Sequence, residues 1–165
     1  VNLKPLLPGH VLVSPRRLVP RFNDLTPDEV KDLFLTVQRV SRTVERVFSA
    51  SALNIAIQDG VDAGQSVPHV HAHIIPRKKE DLSAHGGTDA IYGIMESEEG
   101  DLGRQFVARE KQNHKQDEAS LPNGEPRGRF PAVDNESRKP RSEDDMVKEA
   151  EWLADEMAKD AGDGS

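Results

Sequence analysis

Pro68-His69-Val70-His71-Ala72-His73-Ile74-Ile75-Pro76-Arg77 sets three histidines on alternate residues. Successive side chains of a strand point to opposite faces, so positions 69, 71 and 73 project from one face at intervals of roughly 7 Å, while Val70, Ala72 and Ile74 face the other way. The stretch reads as a strand over 68–76 with one face in a core and the other lined by imidazoles. Half of the six histidines fall in this one patch, which concentrates them where a scattered set would suggest solvated surface.

Upstream, Gly9-His10-Val11-Leu12-Val13-Ser14-Pro15 reads as a short strand closed by proline, followed by a Pro-rich connection to Asn23. Thr26-Pro27-Asp28-Glu29 forms a capping box, with Thr26 as N-cap, Pro27 at the first helical position and Glu29 reaching back. Val30, Leu33, Phe34, Val37, Val40, Val44, Val47 and Phe48 then recur at steps of three and four, which predicts a helix to about Ser49 with one apolar stripe for the sheet. Leu53, Ile55 and Ile57 alternate as a second strand, ended by the turn signal Asp59-Gly60. Only turn residues separate this strand from the histidines, so the two are expected to pair antiparallel.

After Pro76 the periodicity collapses. Residues 82–141 mix Gly, Pro, Ser, Asn and both charges, and read as an acidic, largely flexible insertion in which Ile91-Tyr92-Gly93-Ile94-Met95 alone could dock. Ser142, an N-cap ahead of Glu143, Asp144 and Asp145, opens a second helix with Met146, Ala150, Leu153 and Met157 on one face beside Trp152. The expected organisation is a core over 1–80, an insertion over 81–141, and a helix and tail over 142–165. The fold class is α+β: an antiparallel sheet, a long packed helix and a C-terminal helix.

Charge follows the same division. Residues 1–80 carry 11 Lys or Arg against 8 Asp or Glu, a balance of +3, and residues 81–165 carry 11 against 21, or −10. That acidic half argues against nonspecific nucleic-acid binding, although Arg77-Lys78-Lys79 leaves the histidine strand locally basic. The absence of cysteine rules out disulfides and thiolate zinc sites, and a reducing compartment, cytoplasmic and also nuclear, is the expectation. No apolar run reaches the ~20 residues of a membrane span. The chain opens at Val1 within what reads as structure, so residues are expected to be missing in front of it.

Three readings of the imidazole patch compete. A single histidine is commonly a hydrogen-bonded structural residue, but three in register argue against that. His-x-His on a strand can place two nitrogens on zinc, yet the nearby loops offer only Asp59 and Asp62 as further ligands. Nucleophilic catalysis at phosphorus is the third: a neutral imidazole attacks while a neighbour steadies the phosphate oxygens.

His69 to Ile75 resembles the signature of the histidine triad superfamily of nucleotide hydrolases and transferases. Pro8-Gly9-His10-Val11-Leu12-Val13, Gln58-Asp59-Gly60 and Ala63-Gly64-Gln65-Ser66-Val67, taken with the triad and Pro76-Arg77, are similar to the fragile histidine triad branch, the dinucleoside polyphosphate hydrolases. The family's first strands have no counterpart here. The resemblance implies a histidine-triad-like antiparallel sheet doubled into a homodimer, and hydrolysis of a diadenosine polyphosphate, the triphosphate above all, to AMP and the remaining nucleotide. It implies His71 as the nucleophile forming a nucleotidyl-imidazole, its other nitrogen oriented by a carbonyl near His69. His73 would donate to a phosphate oxygen, with His10 behind His69. Gln65 and the amides of Ser66 and Val67, beyond the turn at Gly64, would receive the scissile phosphate. Asn2 and Gln58 would hold a ribose, and Leu12 would wall the base pocket. No protein-bound metal is implied, although Mg or Mn could ride on the substrate's phosphates. Beside this stand two alternatives: a nucleoside phosphoramidate hydrolase of the same superfamily, and a nucleotide-binding signalling module that does no chemistry.

Overall fold

The computed structural model describes residues 1–95 and 141–162. Its centre is a three-stranded antiparallel sheet made of β1 (Val11–Val13), β2 (Ala52–Ile57) and β3 (Ala72–Arg77), in the order β1-β3-β2. Val11 lies opposite Ile74 and Val13 opposite Ala72, while on the other side Ala52 lies opposite Arg77 and Ile57 opposite Ala72. As the middle strand, β3 is covered on both faces and every one of its six residues is buried. This is why its sequence is so apolar between the histidines.

The two faces have different covers. Ala72 and Ile74 join Val11, Val13, Leu53 and Ile57 in the main core, capped by α1 (Pro27–Val47) through Leu33, Val37 and Val44. The capping box forms as read: Glu29 N–H donates to Thr26 Oγ1 at 3.3 Å and Thr26 N–H to Glu29 Oε2 at 2.8 Å. Phe34, placed on the apolar stripe, is nearly half exposed and meets the ring of Phe22 edge-on. Ile75, on the other face, packs in a second cluster with Leu82, Ile91, Ile94 and Met95, residues 90–95 being helical. Residues 82–95 therefore fold back on the sheet, with the apolar stretch at 91–95 as the docking point. The reading of 96–140 as a flexible insertion lies outside the described residues.

A second helix, α2 (Glu143–Gly162), packs on α1. Asp145 N–H donates to Ser142 Oγ at 3.2 Å, as expected of an N-cap. Leu153 is buried in the main core, Trp152 meets Phe48 edge-on at 5.7 Å, and Arg46 pairs with Glu156 and Asp160, both at 2.8 Å. Arg141, ahead of the helix, pairs with Glu149 and gives its N–H to the Leu3 carbonyl at 3.0 Å. The C-terminal segment thereby holds the start of the chain.

The histidine strand begins later than the alternation suggests. The ladder opens at Ala72, so His69 and His71 precede it. Both neighbours end there: β1 stops at Val13 before Pro15, and β2 stops at Ile57. Ahead of that point the chain takes other partners, with Val70 N–H on the Val19 carbonyl at 2.7 Å and His69 N–H on that of Val67 at 2.7 Å.

Candidate active site

The catalytic candidates sit where β3 emerges from the sheet. His73 lies on the strand between Leu12 and Ala56, its partners on either side, and is 2% exposed. The ring of His71 stands 5.0 Å from that of His73 at 62°. His71 Nδ1 lies 2.8 Å from the carbonyl oxygen of His69. A carbonyl only accepts, so Nδ1 carries the proton and the in-plane lone pair is on Nε2. This is the orientation expected for His71.

His69 is held by the segment after β1. Val19 N–H donates to His69 Nδ1 at 3.2 Å, and the Val19 carbonyl, 3.4 Å from the same nitrogen, already accepts from Val70. His10, expected behind His69, stands behind His73: His10 Nε2 lies 2.9 Å from His73 Nδ1, with ring centroids 5.2 Å apart. The change follows from the register, because β1 pairs with the portion of β3 that carries His73 and does not reach His69.

The glutamine loop is built differently from the expectation. Gln65 is 9% exposed and its carboxamide is engaged by backbone, accepting from Gly60 N–H at 2.7 Å and donating to the Pro20 carbonyl at 2.9 Å. Gln65 thereby staples the loop to the Pro20 carbonyl. Asp59 reinforces the staple by accepting from Phe22 N–H at 2.8 Å and pairing with Arg21, whose guanidinium pulls the carboxyl below its ordinary range. Asp59 is thus committed elsewhere than to a metal, Asp62 is exposed, and no metal-binding group of three His, Cys, Asp or Glu occurs among the described residues. Ser66 and Val67, both half-buried, join this loop to His69.

Gly64 is left-handed at φ +91, and a Cβ there would stand 2.6 Å from Gln58 Nε2. The glycine lets the Gln58 amide lie over the loop, where Gln58 Oε1 is a buried acceptor without a hydrogen-bond partner among the described residues. Asn2, expected on a ribose, is 2% exposed and turned inward: Nδ2 lies 3.4 Å from both ring nitrogens of His10, and Oδ1 accepts from Lys4 N–H at 3.1 Å. It is a support of His10. Arg77 is likewise drawn inward, onto Asp81 at 2.8 Å and Asn54 at 2.6 Å, so only Lys78 and Lys79 of the basic flank face solvent.

Val19, Pro20 and Arg21 are the site residues that sequence reasoning missed. Val19 and Pro20 act through backbone groups, which no side-chain pattern announces. Asp59, read as a turn, also holds the site together.

The HIT domain model matches residues 1–80. The chain is 53% identical over 153 residues, 93% of its length and 80% of the relative's, to the asymmetrical bis(5'-nucleosyl)-tetraphosphatase of Schizosaccharomyces pombe. Over 102 residues it is 57% identical to the bifunctional bis(5'-adenosyl)-triphosphatase/adenylylsulfatase FHIT of Arabidopsis thaliana, covering 62% of this chain and 55% of that one. Over 98 residues it is 56% identical to a bis(5'-adenosyl)-triphosphatase of Dictyostelium discoideum, covering 59% and 64%. The chain thus spans less than two thirds of the length of two of these three relatives. With a triad held as above and a relative more than half identical along most of both lengths, the chain belongs to the histidine triad (HIT) family, in its fragile histidine triad branch.

Proposed function

We propose that this chain hydrolyses dinucleoside polyphosphates by way of a nucleotide carried on His71. The observation that carries the reading is the 2.8 Å contact of His71 Nδ1 with the His69 carbonyl, which presents the Nε2 lone pair beside the buried ring of His73. His71 Nε2 attacks the phosphorus next to one nucleoside. A P–N bond forms, the P–O bond to the rest of the polyphosphate breaks, and the departing nucleotide leaves with that oxygen. His71 becomes a substituted imidazolium whose Nδ1–H strengthens its bond to the carbonyl. Water then attacks the same phosphorus, the P–N bond breaks, and AMP departs, so that one water is consumed per molecule cleaved.

The nucleophile touches a single phosphorus and the remaining phosphates form the leaving group. This supports action on both the tri- and the tetraphosphate, in keeping with the activities for which the three relatives are named. Gln58, with its spare buried acceptor, is the group assigned to a ribose hydroxyl. Imidazole chemistry itself calls for no metal, and Mg or Mn would enter with the substrate's phosphates. A homodimer is part of the proposal, supported by β2, which pairs with β3 alone among the described residues and carries half-exposed Ile55.

The test is chromatographic. Diadenosine tri- and tetraphosphate incubated with the chain should yield AMP with equimolar ADP or ATP, and His71→Asn should yield none. Symmetrical cleavage of the tetraphosphate to ADP, or undiminished turnover by the variant, would overturn the reading.

A further inference from the structure

The proton positions of the clustered imidazoles follow from what each nitrogen faces, because backbone N–H groups can only donate and carbonyls can only accept. Leu6 N–H points at His10 Nδ1 at 3.2 Å. That nitrogen must accept, and a proton there would set two donors face to face in a place where His10 is 1% exposed and water cannot intervene. The proton of neutral His10 is therefore on Nε2. This nitrogen lies 2.9 Å from His73 Nδ1, which must in turn accept, leaving the proton of His73 on its own Nε2.

We propose that the backbone amide of Leu6 sets the tautomer of His73 two rings away, with His10 as the positioning residue that passes the constraint on. The proposal rests on the hydrolase reading for its chemical purpose. His71 offers a lone pair, and His73, with its ring centroid 5.0 Å away, offers a donor. Neighbouring rings of opposite polarity suit an attack on phosphorus, where one group must give electrons and the other must receive the negative charge of the departing oxygen. The opposite tautomer of His73 would leave two lone pairs, and no donor, on the Nε2 atoms of these neighbouring rings.

The surroundings of Leu6 are built to keep the amide in place. His10 N–H closes the turn on the Leu7 carbonyl at 3.1 Å, and Gly9, at φ +84, lies so close under Phe48 that a Cβ would come within 2.6 Å of the ring. Asn2 Nδ2 stands 3.4 Å from both ring nitrogens of His10 and so favours neither, while its backbone N–H holds the His10 carbonyl at 3.2 Å. The next residue, Leu3, is the one held by Arg141. The turn that carries the Leu6 amide is thus held by its own backbone, by Phe48 and, through Leu3, by the C-terminal segment.

The experiment is long-range proton–nitrogen NMR on the 15N-histidine-labelled chain at about pH 8.5, two units above the ordinary imidazole value of about 6.5, where each ring nitrogen reports whether it carries a proton. The expected result is Nε2–H for both His10 and His73, and Nδ1–H for His71. His10→Gln, whose terminal amide can still donate to His73 Nδ1, should keep His73 as Nε2–H. His10→Leu, if folded by its amide spectrum, should let the two nitrogens of His73 move toward averaged shifts. Nδ1–H on His73 of the parent chain, or an unchanged His73 in His10→Leu, overturns the relay. These signals are read without substrate, so a chain with the expected tautomers and no turnover would uphold the relay and refute the hydrolase reading.

Discussion

Gly9 and Phe48 are in such close contact that the ring occupies the place of a side chain: a Cβ on Gly9 would lie 2.6 Å from its nearest carbon. This single packing relationship ties the end of α1 to the turn that presents His10. The same Phe48 meets Trp152 of α2, so the turn, the long helix and the C-terminal helix share one aromatic joint.

Gly9→Ala should therefore cost stability twice, through a left-handed backbone at φ +84 and through the clash with the ring. A loss of about 1–3 kcal/mol is expected by urea denaturation. Phe48→Leu in the same chain should recover part of it, since a smaller side chain can yield. Equal stability of parent and Gly9→Ala would show that the contact is not as described.

Gly64→Ala meets the same left-handed backbone cost at φ +91 but a softer clash. Its Cβ would meet the far end of Gln58, a flexible side chain that can move away, at 2.6 Å. Displacing Gln58 should raise KM several-fold with a smaller change in kcat, the pattern of lost ground-state binding. A fall in kcat at constant KM would instead assign the loop to the chemical step.

Leu153 is 7% exposed in the main core, although the helix that bears it lies far along the chain. Leu153→Ala should destabilise by about 2–3 kcal/mol in the 165-residue chain. Thermal unfolding with and without the substitution reads this directly, and a change within error would mean that α2 adds nothing to the core.

Glu29 gives the pH dependence a sign. Arg17 and the Thr26 amide hold its carboxyl at about 2, against 4.5 ordinarily. A carboxylate depressed on folding stabilises the folded state fully above its unfolded value and loses that contribution as pH falls toward its folded value. Stability from the Arg17–Glu29 pair, and with it the α1 capping box, should thus decline between about 4.5 and about 2. Glu29→Gln, which keeps an acceptor but cannot ionise, should flatten this part of an acid denaturation curve relative to the parent.

The fold was legible wherever local chemistry and tertiary packing agree. The Thr26 box and the alternation of Leu53, Ile55 and Ile57 each carry their own physical signal, and the capping box and the antiparallel pairing of β2 with β3 both form. The strand start at Ala72 was not legible, because alternation records which face a residue takes and not where a neighbouring strand stops. His10 illustrates the same limit: its chemistry was visible, but its partner depends on the β1–β3 register, which places it at His73. Asn2 and Gln65 are assigned to substrate through the family resemblance, and Arg77 is counted in the basic flank of the histidine strand. All three are buried and engaged by backbone or by an opposite charge, which a sequence cannot distinguish from engagement by a ligand.

The central claim is that His71 becomes covalently bonded to phosphorus, and intact-mass spectrometry after an alkaline quench of a single turnover tests it most directly. With diadenosine triphosphate the chain should gain the mass of one adenylyl group, located to His71 by peptide mapping and absent from His71→Asn, on which activity should fall on the order of 10⁴-fold or more. Rapid turnover with no adduct at any quench time, or an adduct on another residue, would contradict the account.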